Sequence, residues 1–468
     1  MSYRQCVLAL AAILCMAPTC LAQRQSEAIE LTVYNQGMGL VKDLRTLDLR
    51  EGVQELHFED VAALIDPTSV HFRAVANPDQ VSVLEQNFQF DLVSRQVLLE
   101  KYLGRPIIVE RRGRSGDVVA SDQVTLLAAD ASGPSVVGRD GTLVLGPPGT
   151  TRLPALPEGL LTKPALVWQL WSEVAGARPC EISYITDGLT WEADYVAVLN
   201  HDDTALDLEG WVTLTNTSGA TYPDARLKLV AGDVATVEEE VPMDKAMMVS
   251  RMVEAAPMEE GFQEEAFFEY HLYTLGQPTT VADRETKQVS LLSSSGVKAR
   301  KLFIYDPNQA RRWLWSHPSP ESAVMVKVEL TNSEEDGLGM ALPNGTVRLM
   351  KADQEGALQF IGEDSIDHTP TDEDIRLHVG VAFDLVGEYI HVDQQVRERG
   401  SRDTHRVLLR NHKAEPVTIT YVAHLSGEWE ILRSTHDYEK IDATTAEFTV
   451  TVPADDEVQI EYTSDMRW

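Results

Sequence analysis

The sequence predicts a mostly β protein: immunoglobulin-like β-sandwich units with a small inserted β-barrel-like region and one short helix. Three observations carry that expectation. Apolar residues alternate at period two over many short runs, the mark of half-buried strands. Turn-forming clusters separate the runs, with HDD at 201–203, SEEDG at 333–337 and PNG at 343–345. One local plan also recurs three times: a strand ending in Leu-x-Asn, a polar turn, then a second alternating strand. Its asparagines are Asn216, Asn332 and Asn411. Asn at a strand end is ordinarily a turn former, so these read as recurring sandwich edges rather than as a site.

The chain opens with MSYRQCVLALAAILCMAPTCLA, in which Arg4 leads an apolar stretch from Cys6 to Met16 that runs through Pro18 to Ala22. That order of charge, apolar core and small-residue exit predicts a signal peptide over 1–22, cut between Ala22 and Gln23. The core is too short to span a bilayer as a helix, so the expectation is an exported chain, periplasmic or extracellular, and not an integral membrane protein. Cys15 and Cys20 do not read as lipid-attachment sites, because Leu14 and Thr19 precede them where Gly or Ala is wanted.

The remaining elements follow in order. Residues 23–90 form an N-terminal β region. Residues 91–160 read as a helix-plus-barrel insertion. Its helix runs from about Leu92 to Leu103, with Leu92, Gln96, Leu99 and Leu103 on one stripe, Asp91 placed to cap it and Gly104 to end it. Short strands with Gly-rich turns follow in RPIIVERRGRSGDVVASDQVTLLAA and GRDGTLVLGPP. Residues 161–237 return to sandwich strands, with Leu208, Gly210, Val212 and Leu214 on one face. Residues 238–266 are acidic, rich in Met and Ala, and broken by Pro242 and Pro257, which reads as a linker. The sharper reading there is a short amphipathic partner helix using Met247, Met248, Met252 and Val253. Residues 267–468 form a C-terminal β-sandwich domain. Val324, Val326, Val328 and Leu330 share one face of a strand there, with Met325, Lys327 and Glu329 on the other.

The charge balance excludes some partners. Lys and Arg number 40 against 73 Asp and Glu, a formal charge of −33, and loss of Arg4 with the signal peptide takes it to −34. Nucleic acid and anionic lipid both need cationic surface, so neither fits. Of four cysteines only Cys180 lies beyond the signal peptide, so the mature chain forms no internal disulfide and relies on its core.

No GxSxG elbow, HExxH, phosphate loop, dinucleotide fingerprint or EF-hand loop occurs. Cys180 sits in the strand-like CEISYI, where a thiol more often packs than reacts. Seven of the twelve histidines fall between His368 and His436 at spacings unlike those of metal ligands, and His378 and His391 read as scattered strand residues. The most pointed group is GEDSIDHTPTDED at 362–374. It reads either as a cation or ligand site built on Asp364, Asp367 and His368, or as a hairpin whose acids satisfy turn backbone. Among the tryptophans, Trp313 and Trp315 fall on one strand face after Arg311 and Arg312, an arrangement able to stack on sugar rings. Core packing is the commoner role for Trp168, Trp171, Trp191, Trp211 and Trp429.

The C-terminal stretch resembles the bacterial domain-of-unknown-function 4139 family, whose longer relatives include the mucoidy-inhibitor-A-like proteins. The resemblance is carried by Leu342, Pro343, Gly345, Val347 and Arg348; by Gly362, Glu363, Asp364, Ile366, Asp367, His368, Thr369 and Pro370; and by Gly380, Ala382, Phe383, Asp384, Val386, Gly387 and Glu388. The start VYNQGMGLVKDLRTLDL, the stretch YITDGLTWEADYVAVL and the ending LRNHKAEPVTI…GEWEI…VPADDEVQIEY resemble it too. One departure is Asp372, where the family carries Gly, and another is the absence of a long coiled-coil insertion. The resemblance implies an exported, mostly β protein and brings no activity with it. The functional expectation is an exported, non-enzymatic scaffold or binding protein of the cell envelope or exterior, using no cofactor or metal. Its partner is an envelope protein or a glycan, and its candidate binding residues are Asp364, Asp367, His368, Trp313 and Trp315. The alternative is a hydrolase of surface glycans using carboxylates near Asp364 and Asp367.

Overall fold

The computed structural model describes residues 26–89, 95–112, 117–130, 133–138, 140–155, 164–232, 234, 262–309 and 320–468. The signal peptide, Asp91, Leu92, most of the acidic Met-rich segment, and Trp313 and Trp315 lie outside the described residues. The described chain is mostly strand, with a short α-helix at Arg95–Lys101, helical residues at 307–309 and three 3-10 turns. No described helix is long and apolar enough to cross a membrane. The chain divides into two compact units, one built on Lys42–Tyr184 and the other on Glu30–Val41 and Ile185–Trp468.

In the first unit the strand Ala165–Ser172 lies between Gly52–Glu59 and Val81–Gln89, antiparallel to both. Trp168 is fully buried there, packed against Phe58 and Phe72, and its indole N–H donates to Gln86 Oε1 at 2.9 Å. Trp171, one pleat further on, is 38% exposed. Cys180 is fully buried on Gly176–Asp187, and burial pushes its thiol up to about 11, so it stays protonated and unreactive.

The helix spans Arg95–Lys101, shorter than the sequence pattern suggested. Leu99 faces a small core of Tyr102, Ile107, Val109, Leu126 and Val136, but Leu103 is exposed and leaves the expected stripe. The physical reason is the exit turn. Gly104 takes a left-handed φ of 73° and its N–H donates to Leu126 O at 2.7 Å, which turns the chain early and gives Tyr102 the core position. Five antiparallel strands follow in the order 150–152, 106–112, 118–130, 133–137, 143–145, as an open ladder where the sequence suggested a barrel.

The second unit is organised by three asparagines that are completely buried. Asn216 ends Ala205–Asn216, Asn332 follows Ala323–Thr331, and Asn411 ends Gly400–Asn411. Each amide nitrogen donates to two successive carbonyls of a distant turn and to one carbonyl of its own loop. Asn216 reaches Val281, Ala282 and Ala220. Asn332 reaches Thr369, Pro370 and Met340. Asn411 reaches Val452, Pro453 and Glu415. Each amide oxygen accepts a backbone N–H from its own loop, from Ser218, Gly339 and Lys413 respectively.

The surroundings repeat with the asparagines. In each turn the residue three past the first bonded carbonyl is left-handed: Arg284 at φ 57°, Asp372 at 64° and Asp455 at 49°. A partner strand then begins at once, with Asn216 opposite Glu285, Thr331 opposite Asp374 and Asn411 opposite Asp456. The chain between joins a second pair of strands: Tyr222 opposite Val281, Leu342 bridged to Thr369, and Val417 opposite Val452. Each asparagine therefore ties one strand pair to another at the same kind of corner. Asp372, where the resembled family carries Gly, occupies the one backbone conformation in this turn that glycine adopts most easily.

Glu285–Tyr305 and Asp374–Arg397 are long enough to serve two successive corners. The first pairs with Ala205–Asn216 along its start and with Ala323–Thr331 along its end. The second pairs with Ala323–Thr331 and then with Gly400–Asn411. The strand Ala323–Thr331 is thus paired along both edges, and Met325 and Glu329 are buried along with Val324 and Val328. Asn216→Ala, Asn332→Ala and Asn411→Ala should each lower stability by about 1–3 kcal/mol, since each leaves buried carbonyls without a donor. Urea melts of the three single variants check this, and a melt unchanged at all three would refute the corner's role.

Candidate functional site

The acidic motif is built on the second corner. Residues up to Ile366 belong to the strand Leu358–Ile366 and those from Asp374 to the next, so the turn itself is only 367–373. Gly362 explains how the first strand lies so close to the second: a Cβ there would meet Val379 O at 2.2 Å. That approach lets Asp364 Oδ2 accept the His378 N–H at 2.7 Å, while Oδ1 accepts the Ser365 N–H at 2.9 Å.

Asp367 contributes its backbone, whose carbonyl accepts from Thr369 Oγ1 at 2.8 Å. His368 Nδ1 accepts the Asn344 N–H at 3.1 Å, and its Nε2 lies 3.4 Å from the Asn35 amide. Leu342 and Thr369 exchange two backbone bonds of 2.9 Å, and Asp372 N donates to Asn332 O at 2.7 Å. Asp364 and His368 thus hold neighbouring backbone with their side chains, while the Asp367 carboxylate faces solvent. No described group of three His, Cys, Asp or Glu side chains is placed to hold a metal ion.

The structure also assembles a polar cluster that the sequence reading missed. His391 and His405 face each other across two strands, with ring centroids 5.1 Å apart and planes 14° from parallel. His391 Nε2 lies 3.3 Å from the buried Asp403 carboxylate, which also accepts from Ser401 Oγ. His405 Nδ1 lies 2.8 Å from the Tyr389 hydroxyl and its Nε2 3.3 Å from Ser464 Oγ. Tyr462 stacks on its other face at 4.7 Å. The available signal was the alternation Ser401-x-Asp403-x-His405, which puts three polar groups on one strand face. Chain spacing between histidines was uninformative because the pairing is across strands. Ser464 is fully buried and Ser401 nearly so, and a nucleophile there has no access to substrate.

Burial, reinforced by His391 and opposed by Asp403, pushes the His405 imidazole down to about 4. The unfolded chain takes up that proton near pH 6.5 and the folded chain only near 4. The stability it contributes is present above about pH 6.5 and is lost as pH falls toward 4. His405→Gln should flatten this part of the stability–pH profile by about 2–3 kcal/mol, measured as urea midpoints across that range. At the acidic turn, the triple variant Asp364→Ala, Asp367→Ala, His368→Ala should lose about 1–3 kcal/mol, because backbone donors lose their acceptors. An unchanged thermal midpoint, together with abolished binding in an envelope pull-down, would turn this motif from a structural corner into a ligand site.

Phe383 stands apart from both clusters. Met325 pairs with Val381 and Ala323 with Val386, so residues 382–385 bulge opposite Val324 alone. Ala382 and Leu385 are buried, Asp384 O accepts the His412 N–H at 2.9 Å, and Phe383 is left 96% exposed. A bulge fixed at both ends re-aims one side chain, here outward. No family model matches this chain, and no curated protein matches it either.

Proposed function

We propose that this is an exported, non-enzymatic scaffold or binding protein that acts in the cell envelope or outside the cell by holding another protein. The observation that carries the reading is Phe383, a large apolar ring kept in solvent by a bulge whose flanks are buried. A lone exposed aromatic on a loose loop would mean little. One held on a fixed bulge is already ordered before binding, so docking costs little further entropy. The roles of Asp364, Asp367 and His368 fit the same reading: they serve the turn and leave the neighbouring surface to be recognised as shape. Export rests on the signal-peptide pattern of residues 1–22.

The test is capture from native envelope extract with the mature chain, against Phe383→Ser in parallel. The variant should keep its thermal midpoint within a degree or so, because no packing is lost, and should lose the partner. Equal recovery by both proteins would remove Phe383 from the reading. Intact mass of the exported chain should lack residues 1–22, and retention of Met1 to Ala22 would refute the export argument.

A further inference from the structure

Three arginines converge on one buried carboxylate at the end of the C-terminal sheet. Asp465 lies directly across from Arg402, in the register that also sets Gly400 opposite Arg467. Arg397 stands across the hairpin from Gly400. Gly400 has φ 153°, and a Cβ there would meet Met466 O at 2.1 Å, so only glycine lets the hairpin lie this close to the last strand. Arg397 Nη1 donates to Asp465 Oδ1 at 2.8 Å, Arg402 Nε to the same oxygen at 3.3 Å, and Arg467 Nη2 lies 3.6 Å from Oδ2.

The carboxylate is 6% exposed while the arginines are 45%, 40% and 70% exposed, so the acid is beneath and the cations are above it. Each guanidinium uses one part of its donor fork on Asp465. Both Nη groups of Arg402, and Nη2 of Arg397, form no other hydrogen bond or ion pair among the described residues.

Three positive charges share one buried carboxylate, in a chain whose net charge is −33. A single shared carboxylate holds the guanidiniums in place, so their outward donors are positioned in advance. Guanidinium forks match the oxygens of phosphate and carboxylate alike. Three guanidiniums offer donors to more oxygens than a carboxylate carries, which favours a phosphate-type group. Three exposed acids lie close by: Glu398 in the hairpin, Glu428 opposite Arg467, and Glu430 opposite Asp465. None forms an ion pair with these arginines, and all three weaken the site's field.

We propose that Arg397, Arg402 and Arg467 form a binding site for a dianionic oxyanion of the phosphate type, either free phosphate or a phosphate monoester. The site is separate from Phe383 and does not depend on the partner-binding reading. The experiment is isothermal titration of the mature chain at low ionic strength with inorganic phosphate, glucose 6-phosphate and acetate. Phosphate or the monoester should bind at one saturable site, about tenfold or more tighter than acetate. The tighter of the two names the source.

Arg467→Gln should weaken that binding about tenfold and leave the thermal midpoint in place, since its contact to Asp465 is the longest and most exposed. Arg402→Gln should weaken it by a similar factor. Glu430→Gln should tighten it by about two- to threefold as a competing negative charge is removed. Binding no tighter than acetate, no saturable heat with either phosphate, or full affinity in both arginine variants would overturn the proposal.

Discussion

Everything in the larger unit depends on the carboxamide of three buried asparagines. A sandwich of two strand layers has open ends, and where the chain crosses from one layer to the other its carbonyls turn away from any ladder. Left in an apolar interior, each would lose its hydrogen bonds to water without replacement. One amide supplies two N–H donors and one acceptor on a side chain short enough to stay within the corner. Aspartate could not donate, and glutamine would carry the amide one methylene too far. The same contacts at Asn216, Asn332 and Asn411 set where Glu285–Tyr305, Asp374–Arg397 and Asp456–Arg467 begin. Register follows from those starting points, and in a sheet a one-residue slip would exchange the buried and exposed faces.

Several carboxylates of low exposure share a second feature. Glu329 is held by Arg300 and Arg376, Asp203 by Lys301 and Lys351, Glu110 by Arg152 and Arg112, and Asp465 by three arginines. An acid taken out of water needs compensation from more than one side. Here the cations lie mostly at the surface with their stems along the sheet, so they keep much of their own hydration. A chain so rich in acids can be stable because most carboxylates stay in solvent and several of those removed from it meet more than one cation. The arginine cluster at Asp465 is the extreme case of that arrangement, with three cations on one acid.

The candidate site was only partly legible. The motif at 362–374 was visible as a cluster of polar residues, readable as a ligand site or as a hairpin, and the recurrence of Leu-x-Asn was visible as a plan. That the motif is one of the three Asn corners was not visible, because its loop after Asn332 is longer than those after Asn216 and Asn411. Asn332 bonds Met340 where its counterparts bond a residue four positions on, at Ala220 and Glu415. The Tyr389–His405 cluster and the arginines at Asp465 escaped for one reason. Their members come from different strands, and only cross-strand register makes them neighbours.

What the sequence by itself determined is local: period-two alternation, turn residues between the runs, an N-terminal export pattern, and asparagines at strand ends. These follow from the geometry of a few consecutive residues, which any strand or turn obeys wherever it lies. Tertiary structure decided what those pieces meet. It shortened the helix by turning the chain at Gly104, buried Glu329 on a face that alternation had marked as outer, and aimed Phe383 into solvent from within a strand. Each outcome depends on long-range pairing between residues far apart in the chain, and such pairing leaves no periodic signal in one sequence.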